Sequence, residues 1–400
     1  MHTPVRHRRL IKEIQTMTAE ILTNGHAKTA TIENIIPIEP ASELPNTKKT
    51  RNPSNIKAIN FYLDIDAGAK RVKCRLNGAY KAFPSEAKEI KSEVPLRNDG
   101  CFGYGTKNYV VGRAIDRVNG NLIVGSQDKK LSHLDIWIVG AITHYRKQLK
   151  ECVKSRRRKT LPARINLYLR IVTLSSPKRK ELDKMLKQIS KFIWEDTEFN
   201  VIVKSCEFID EGEGAAVEIA HLYNHEIFHL IDLGGGTCTH TTYEWDGDEI
   251  TTIAKSPVSG AGMTSIINRI FKALTRTDRG AIQAENQDIQ EALELSQITD
   301  DGTWKVPLRS NGKVEDISAE VEGALSEWVN GNYALLKQFD YISQKLARGE
   351  SVYCSGGGFA VKVVGEWIIK YLSADITDAK IKILENPQHV NLTGLKHLDD

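Results

Sequence analysis

Apolar and polar residues alternate in "AINFYLDI" (58–65), the period of a half-buried strand. "RVKCRLNGAYKAFPS" (71–85) reads as two strands around Asn77-Gly78, a pair that favours a tight hairpin turn. "YVVGRAI" (109–115) continues the sheet, and 163–174 and 200–209 are further strands. Helical spacing takes over in 134–155, 177–193 and 214–224.

The opening pattern then returns. "IFHLIDL" (227–233) is a strand, followed by a glycine turn, and "THTTYEW" and "EITTIAKS" pair around Asp246-Gly247-Asp248. In 262–275, Met263, Ile266, Ile267, Ile270, Phe271 and Leu274 share one helical face. A long, charged helical stretch runs to about Arg348, and 351–372 reads as strand, glycine turn, helix. A strand ending in Asp, a glycine turn and a second strand thus occur twice, at Asp66 and Asp232. This weak duplication predicts two related α/β domains facing each other. Their expected bounds are 57–227 with a C-terminal return over 366–400, and 228–365.

Composition narrows the class. The chain has 400 residues, 40% of them hydrophobic and 26% charged, enough apolar material for two soluble domains. A net charge of +4 is too mild to imply nucleic acid by itself. No apolar run approaches the roughly 20 residues of a membrane span. The basic N-terminus lacks the apolar core of a secretory signal. Six scattered cysteines without CxxC spacing favour reduced thiols over disulfides or zinc. The expected location is therefore cytoplasmic. Residues 1–56 hold five of the twelve prolines and read as a basic, disordered tail, with one short amphipathic helix possible over 10–22.

The chemistry lies in the glycine turns. "LDIDAGAKRVK" (63–73) and "IDLGGGTCTH" (231–240) each place Gly two residues after a strand-end Asp. Such a turn lets successive N–H groups point at one anion. Two hairpins from facing domains can grip a polyphosphate, and their aspartates can hold a hydrated Mg²⁺. Each turn alone is also compatible with an ordinary hairpin. A third cluster, Gly356, Gly357 and Gly358 in "VYCSGGGFAVKVV", ends a strand and begins a helix, where a nucleotide can approach the backbone. The plainer reading of that cluster is N-capping by Ser355.

In this order, "DIDAGAKRVK", "EGEGAAVEIAHLY", "IDLGGGT" and "SGGGFAVKV" resemble the phosphate-1, connect-1, phosphate-2 and adenosine motifs of the actin-like ATPases. "FPSEA", "YVVGRAI" and "VSGAGMTSII" make the chain most similar to ParM-type plasmid-segregation actins over about 57–372. The resemblance implies an actin-like, ribonuclease H-like duplicated α/β fold with a nucleotide cleft. It implies binding of ATP or ADP with Mg²⁺, hydrolysis, and a polar cytoskeletal filament of the chain with itself.

Carried over, Asp66 is the phosphate-1 aspartate, with Asp64 the lesser candidate, and Lys73 takes the place of the phosphate-contacting lysine. Gly68, Ala69, Gly234, Gly235, Gly236 and Thr237 line the phosphates, and Ala69 stands where actin has a serine hydroxyl. Gly356, Gly357 and Gly358 face the nucleoside, while Asp66 and Asp232 serve the metal. The water-activating residue is Glu211 or, in another register, Glu207. A small DNA-binding adaptor is an implied partner, whereas direct DNA binding is not. The basic tail and the run 146–159, with eight Lys/Arg and one Glu, can attract an acidic partner or membrane surface, or be a solvated helix end. An MreB-like cell-shape filament and a sugar or acetate kinase use the same clamp and stand as alternatives.

Overall fold

The computed structural model describes residues 58–68, 70–91, 99–125, 133–156, 158–173, 179–275, 284–300 and 302–398. The N-terminal tail and Ala69 lie outside the described residues. Ten strands build the first sheet: β1 (Ile59–Ala67), β2 (Arg71–Leu76), β3 (Ala79–Pro84), β4 (Glu86–Ile90), β5 (Cys101–Tyr104), β6 (Lys107–Val111), β7 (Asn121–Val124), β8 (Ala163–Thr173), β9 (Lys191–Trp194) and β10 (Thr197–Asp210). Their order is β3-β2-β1-β8-β10-β9-β5-β6-β4-β7. β1, β8 and β10 run parallel, and the hairpin strands are antiparallel.

Alternation sorts the two faces of this sheet. Phe61, Leu63 and Ile65 lie in register with Leu167, Leu169 and Ile171, and all six are buried. The opposite face carries a row of alternating charge, Arg75–Asp64–Arg170–Glu207, across four strands. Asp64 accepts from Arg75 Nε and Arg170 Nε, both at 2.7 Å, and is 4% exposed. Both of its oxygens are thus committed to arginines.

The helices that follow β7 are α1 (Leu134–Thr143), α2 (Arg146–Lys154), α3 (Arg179–Gln188) and α4 (Glu213–Tyr223). The second half comprises β11 (Ile227–Leu233), β12 (Thr237–Trp245), β13 (Ile250–Ser259), α5 (Met263–Leu274) and α6 (Asn286–Glu294). Two small hairpins follow, β14 (Gln297–Ile298) with β15 (Trp304–Lys305) and β16 (Pro307–Ser310) with β17 (Lys313–Asp316). Then come α7 (Ser318–Asn330), α8 (Tyr333–Ala347), β18 (Ser351–Ser355), α9 (Lys362–Leu372), β19 (Ile381–Ile383) and α10 (Val390–Thr393). The second sheet has the order β13-β12-β11-β18-β19. Ile266, Ile267, Ile270 and Leu274 of α5 join Trp328, Phe339, Ile342 and Ile368 in its core. Phe271, assigned to the same face by spacing, remains 39% exposed.

Several expectations are corrected. The helix over 134–155 breaks at Tyr145, a buried ring whose Oη lies 3.0 and 2.8 Å from the Cys74 and Ala79 carbonyls of the first hairpin. The helix over 177–193 stops at Gln188, because Phe192 and Trp194 alternate into the sheet as β9. The long helical stretch is interrupted by the two small hairpins. Helix α9 begins at Lys362, behind Val361, so Ser355 is a strand residue and caps nothing. Residues 362–383 stay with the second sheet and its core. The return to the first sheet comes at Leu392 and Leu395, which pack on Val172, Ile209 and Tyr80.

Candidate functional site

Asp66 ends β1 in register with Lys73 on β2. That pairing brings Lys73 Nζ to donate to Asp66 Oδ2 at 3.0 Å. Burial alone would lower the Lys73 pKa, but Asp66, Asp232 and Glu211 outweigh it and raise the value. One ammonium therefore sits among three carboxylates contributed by both halves of the chain. Asp64, locked between two arginines, stands apart as a structural ion pair.

Asp232 ends β11 in register with Ser355 on β18. Its Oδ2 accepts from Asn391 Nδ2 at 3.2 Å. Burial pushes the Asp232 carboxyl above its usual range and Asp66 adds to this, while Lys73, Asn391 and Ser355 pull it back. Gly356 follows Ser355 at φ +96, and a Cβ there would collide with Asp232 Oδ1 and the Leu233 carbonyl. The glycine turn is thereby laid against Asp232. Gly357 is exposed, with open space where a Cβ would be.

The 234–237 loop has its carbonyls turned inward. Met263 N donates to Gly234 O, Thr264 N to Gly235 O and Gly260 N to Gly236 O, at 2.8–3.0 Å. Among the described residues no backbone carbonyl accepts from the amides of Gly235 and Gly236. They border a cavity of about 570 Å³ lined from both halves of the chain. Lys70, Arg269 and Lys272 outnumber Glu86 in its lining, a basic surplus suited to an anion. Lys70 leans over Gly235, where a Cβ would meet its Cγ at 2.9 Å, so the two Asp-x-Gly turns nearly touch.

Glu211 lies in the turn between β10 and α4, and Lys255 Nζ holds its carbonyl at 2.8 Å. Glu207 lies deeper in β10, in the row of Asp64 and Arg170, while Asp66 is in the row of Val172 and Ile209 nearer the strand ends. The structure pairs Asp66 with Lys73, sets Asp232 and Glu211 within electrostatic reach of the same ammonium, and leaves Glu207 in the charged row. In the basic run, Arg146 pairs with Glu195 at 3.0 Å and Arg156 donates to carbonyls of its own loop, while Lys147, Lys150 and Lys154 are exposed.

Asn391 was not signalled by sequence rhythm. It lies in a short segment after Pro387 with neither strand nor helix period, and its role depends on a partner 159 residues away.

Among the described residues no cluster of three or more His, Cys, Asp or Glu can cage a metal. Two strand-end carboxylates in excess of one lysine instead suit Mg²⁺, which keeps most of its water and takes few protein oxygens.

Two α/β halves, each with a glycine turn behind a strand-end aspartate and a shared cavity between, make an actin-like fold. No family model matches the chain, and no curated protein matches it. Solved structures do. The archaeal actin homologue Ta0583 superposes with a TM-score of 0.58 at 15% identity, over 84% of this chain and 98% of its own. A ParM from a 15-stranded Clostridium botulinum filament gives 0.54 at 18%, over 85% and 98%. MreB5 of Spiroplasma citri bound to ADP gives 0.54 at 14%, over 85% and 96%.

Proposed function

We propose that the protein binds and hydrolyses ATP and polymerises with itself into an actin-like filament serving DNA segregation. The observation that carries the reading is the basic cavity bordered by Gly235 and Gly236, whose amides meet no backbone carbonyl among the described residues, in the loop that follows Asp232. A solved ParM filament and an MreB bound to ADP among its structural neighbours support nucleotide binding and self-association. The similarity of its motifs to ParM-type proteins favours segregation, through a small DNA-binding adaptor, over cell shape.

In this reading the amides of Gly235, Gly236 and Gly68 hold the β- and γ-phosphates, and Lys73 and Lys70 offset their charge. Asp66 and Asp232 are the residues that would hold Mg²⁺. When bound, the ion neutralises charge on the phosphates and leaving group. Glu211 orients the attacking water. The water oxygen bonds to the γ-phosphorus as the bond to the bridging oxygen breaks, leaving that electron pair on ADP, and the water's proton goes to the released phosphate. The exposed lysines of α2 and the N-terminal tail serve recruitment of an acidic partner.

The test is sedimentation of the full chain with ATP-Mg²⁺, ADP-Mg²⁺ or EDTA. Pelleting with ATP-Mg²⁺ alone is expected; no pelleting at any nucleotide state, well above tens of micromolar, favours the kinase alternative. Glu211→Ala is expected to spare nucleotide binding, slow phosphate release about 100-fold and lengthen polymer lifetime. The same phenotype in Glu207→Ala, with Glu211→Ala unaffected, would transfer the water-orienting role to Glu207.

A further inference from the structure

One stretch of chain outside the expected motifs touches the third glycine turn, the first hairpin, Asp232 and α4. Pro387 O accepts from Gly356 N at 2.9 Å, at the third glycine turn. His389 stacks on Tyr80 of the first hairpin, with ring centroids 3.9 Å apart. Asn391 reaches Asp232 and α4 together: its Nδ2 donates to Asp232 Oδ2, and its Oδ1 accepts from Ala215 N, each at 3.2 Å. It is 7% exposed.

The chemistry of those two contacts is specific. A carboxylate only accepts and a backbone N–H only donates, so the amide can sit in one orientation alone. An aspartate of the same length could not donate to Asp232, and a leucine could do neither. The segment is held independently of Asp232. Arg170 Nη1 donates to Leu395 O at 3.1 Å, His397 Nε2 meets Glu218 Oε2 at 2.9 Å, and Leu392 and Leu395 are fully buried. Gly214 and Gly394 carry α4 and this segment into direct backbone contact, where a Cβ on either would overlap the other chain. The amide of Asn391 is therefore fixed by the fold before any ligand arrives.

We propose that Asn391 is a positioning residue: it holds Asp232 in its metal-facing orientation and sets its spacing from the α4 turn that carries Glu211. The inference rests on the nucleotide reading above. Holding one oxygen of Asp232 leaves the other beside Gly356 at the glycine turn. Loss of the amide frees the carboxylate to rotate, without touching the loops that hold phosphate.

The test is binding of a fluorescent ADP analogue to the full chain, titrated with MgCl₂ or measured in EDTA. The proteins are wild type, Asn391→Ala and the volume-conserving Asn391→Leu, each checked for folding by circular dichroism. In both variants the Mg²⁺ concentration for half-maximal binding is expected to rise about tenfold, the scale of one charge-assisted hydrogen bond. Binding in EDTA should stay within twofold. A purely structural residue would weaken both modes together, so parallel losses overturn the proposal, as does an unchanged Mg²⁺ requirement. Wild type that binds no analogue with or without Mg²⁺ would overturn the nucleotide reading and this inference with it. Wild type that binds equally in both would overturn the metal role alone.

Discussion

Asp232→Ala is expected to abolish Mg²⁺-dependent nucleotide binding and to lower ATP hydrolysis roughly 1,000-fold, the scale of losing a main electrostatic element of a phosphoryl-transfer site. Asp232 ends its strand directly beside Ser355 and the Gly356 turn. It is one of three carboxylates acting on Lys73. Without it, Lys73 keeps its 3.0 Å bond to Asp66 and the first turn is undisturbed. The fold should survive, because a half-buried carboxylate with one side-chain donor is replaced by a small residue. Isothermal titration with ATP, in Mg²⁺ and in EDTA, reads the outcome. Retained Mg²⁺-dependent binding would remove Asp232 from the metal site.

Asp64→Ala is expected to act on stability instead, by about 3–5 kcal/mol, the usual cost of removing one partner from a buried ion pair. Arg75 and Arg170 side chains are only 13% and 14% exposed, and both direct Nε at Asp64. Deleting the carboxylate leaves two guanidinium groups facing each other across β1. Urea denaturation measures the loss, and nucleotide binding below the new midpoint should match wild type. A small stability change with lost binding would mean that Asp64, not Asp66, serves the nucleotide. The two aspartates sit two residues apart on one strand face, and only their cross-strand neighbours separate their roles.

That separation shows what the linear chain disclosed. The alternation in β1 and β8, the Asn77-Gly78 turn and the two Asp-x-Gly turns were legible because their signals are local. Of the three glycine clusters, the run at 234–236 borders the cavity through Gly235 and Gly236, whereas Gly356, Gly357 and Gly358 are not among its lining residues. At 311–312 the same Asn-Gly signal joins β16 to β17, with both residues at positive φ. Its flanks are only four residues long, too short for alternation to stand out from the helical spacing around them. The β9 strand was obscured likewise, since Phe192 also falls on the helical face of Leu182, Met185 and Ile189. Asp64 and Asp66 look alike in sequence, because what distinguishes them is which basic residue the neighbouring strand sets opposite: Arg75 for one, Lys73 for the other. Asn391 was invisible because nothing near it in the chain names its partners.

The bond between Asn391 and Asp232 also fixes an order of events during synthesis. The two residues are 159 positions apart, and at about 5–20 residues per second the amide leaves the ribosome roughly ten to thirty seconds after the carboxylate it holds. For that interval β11 and α4 exist without the segment that joins them, and Gly214 presents a bare patch of backbone awaiting Gly394. The nascent chain can form the first hairpin and its Asp66–Lys73 pair early, since those contacts are local. Each newly made molecule therefore passes through a period in which Asp66 and Lys73 are both present and Asp232 still lacks its Asn391 partner.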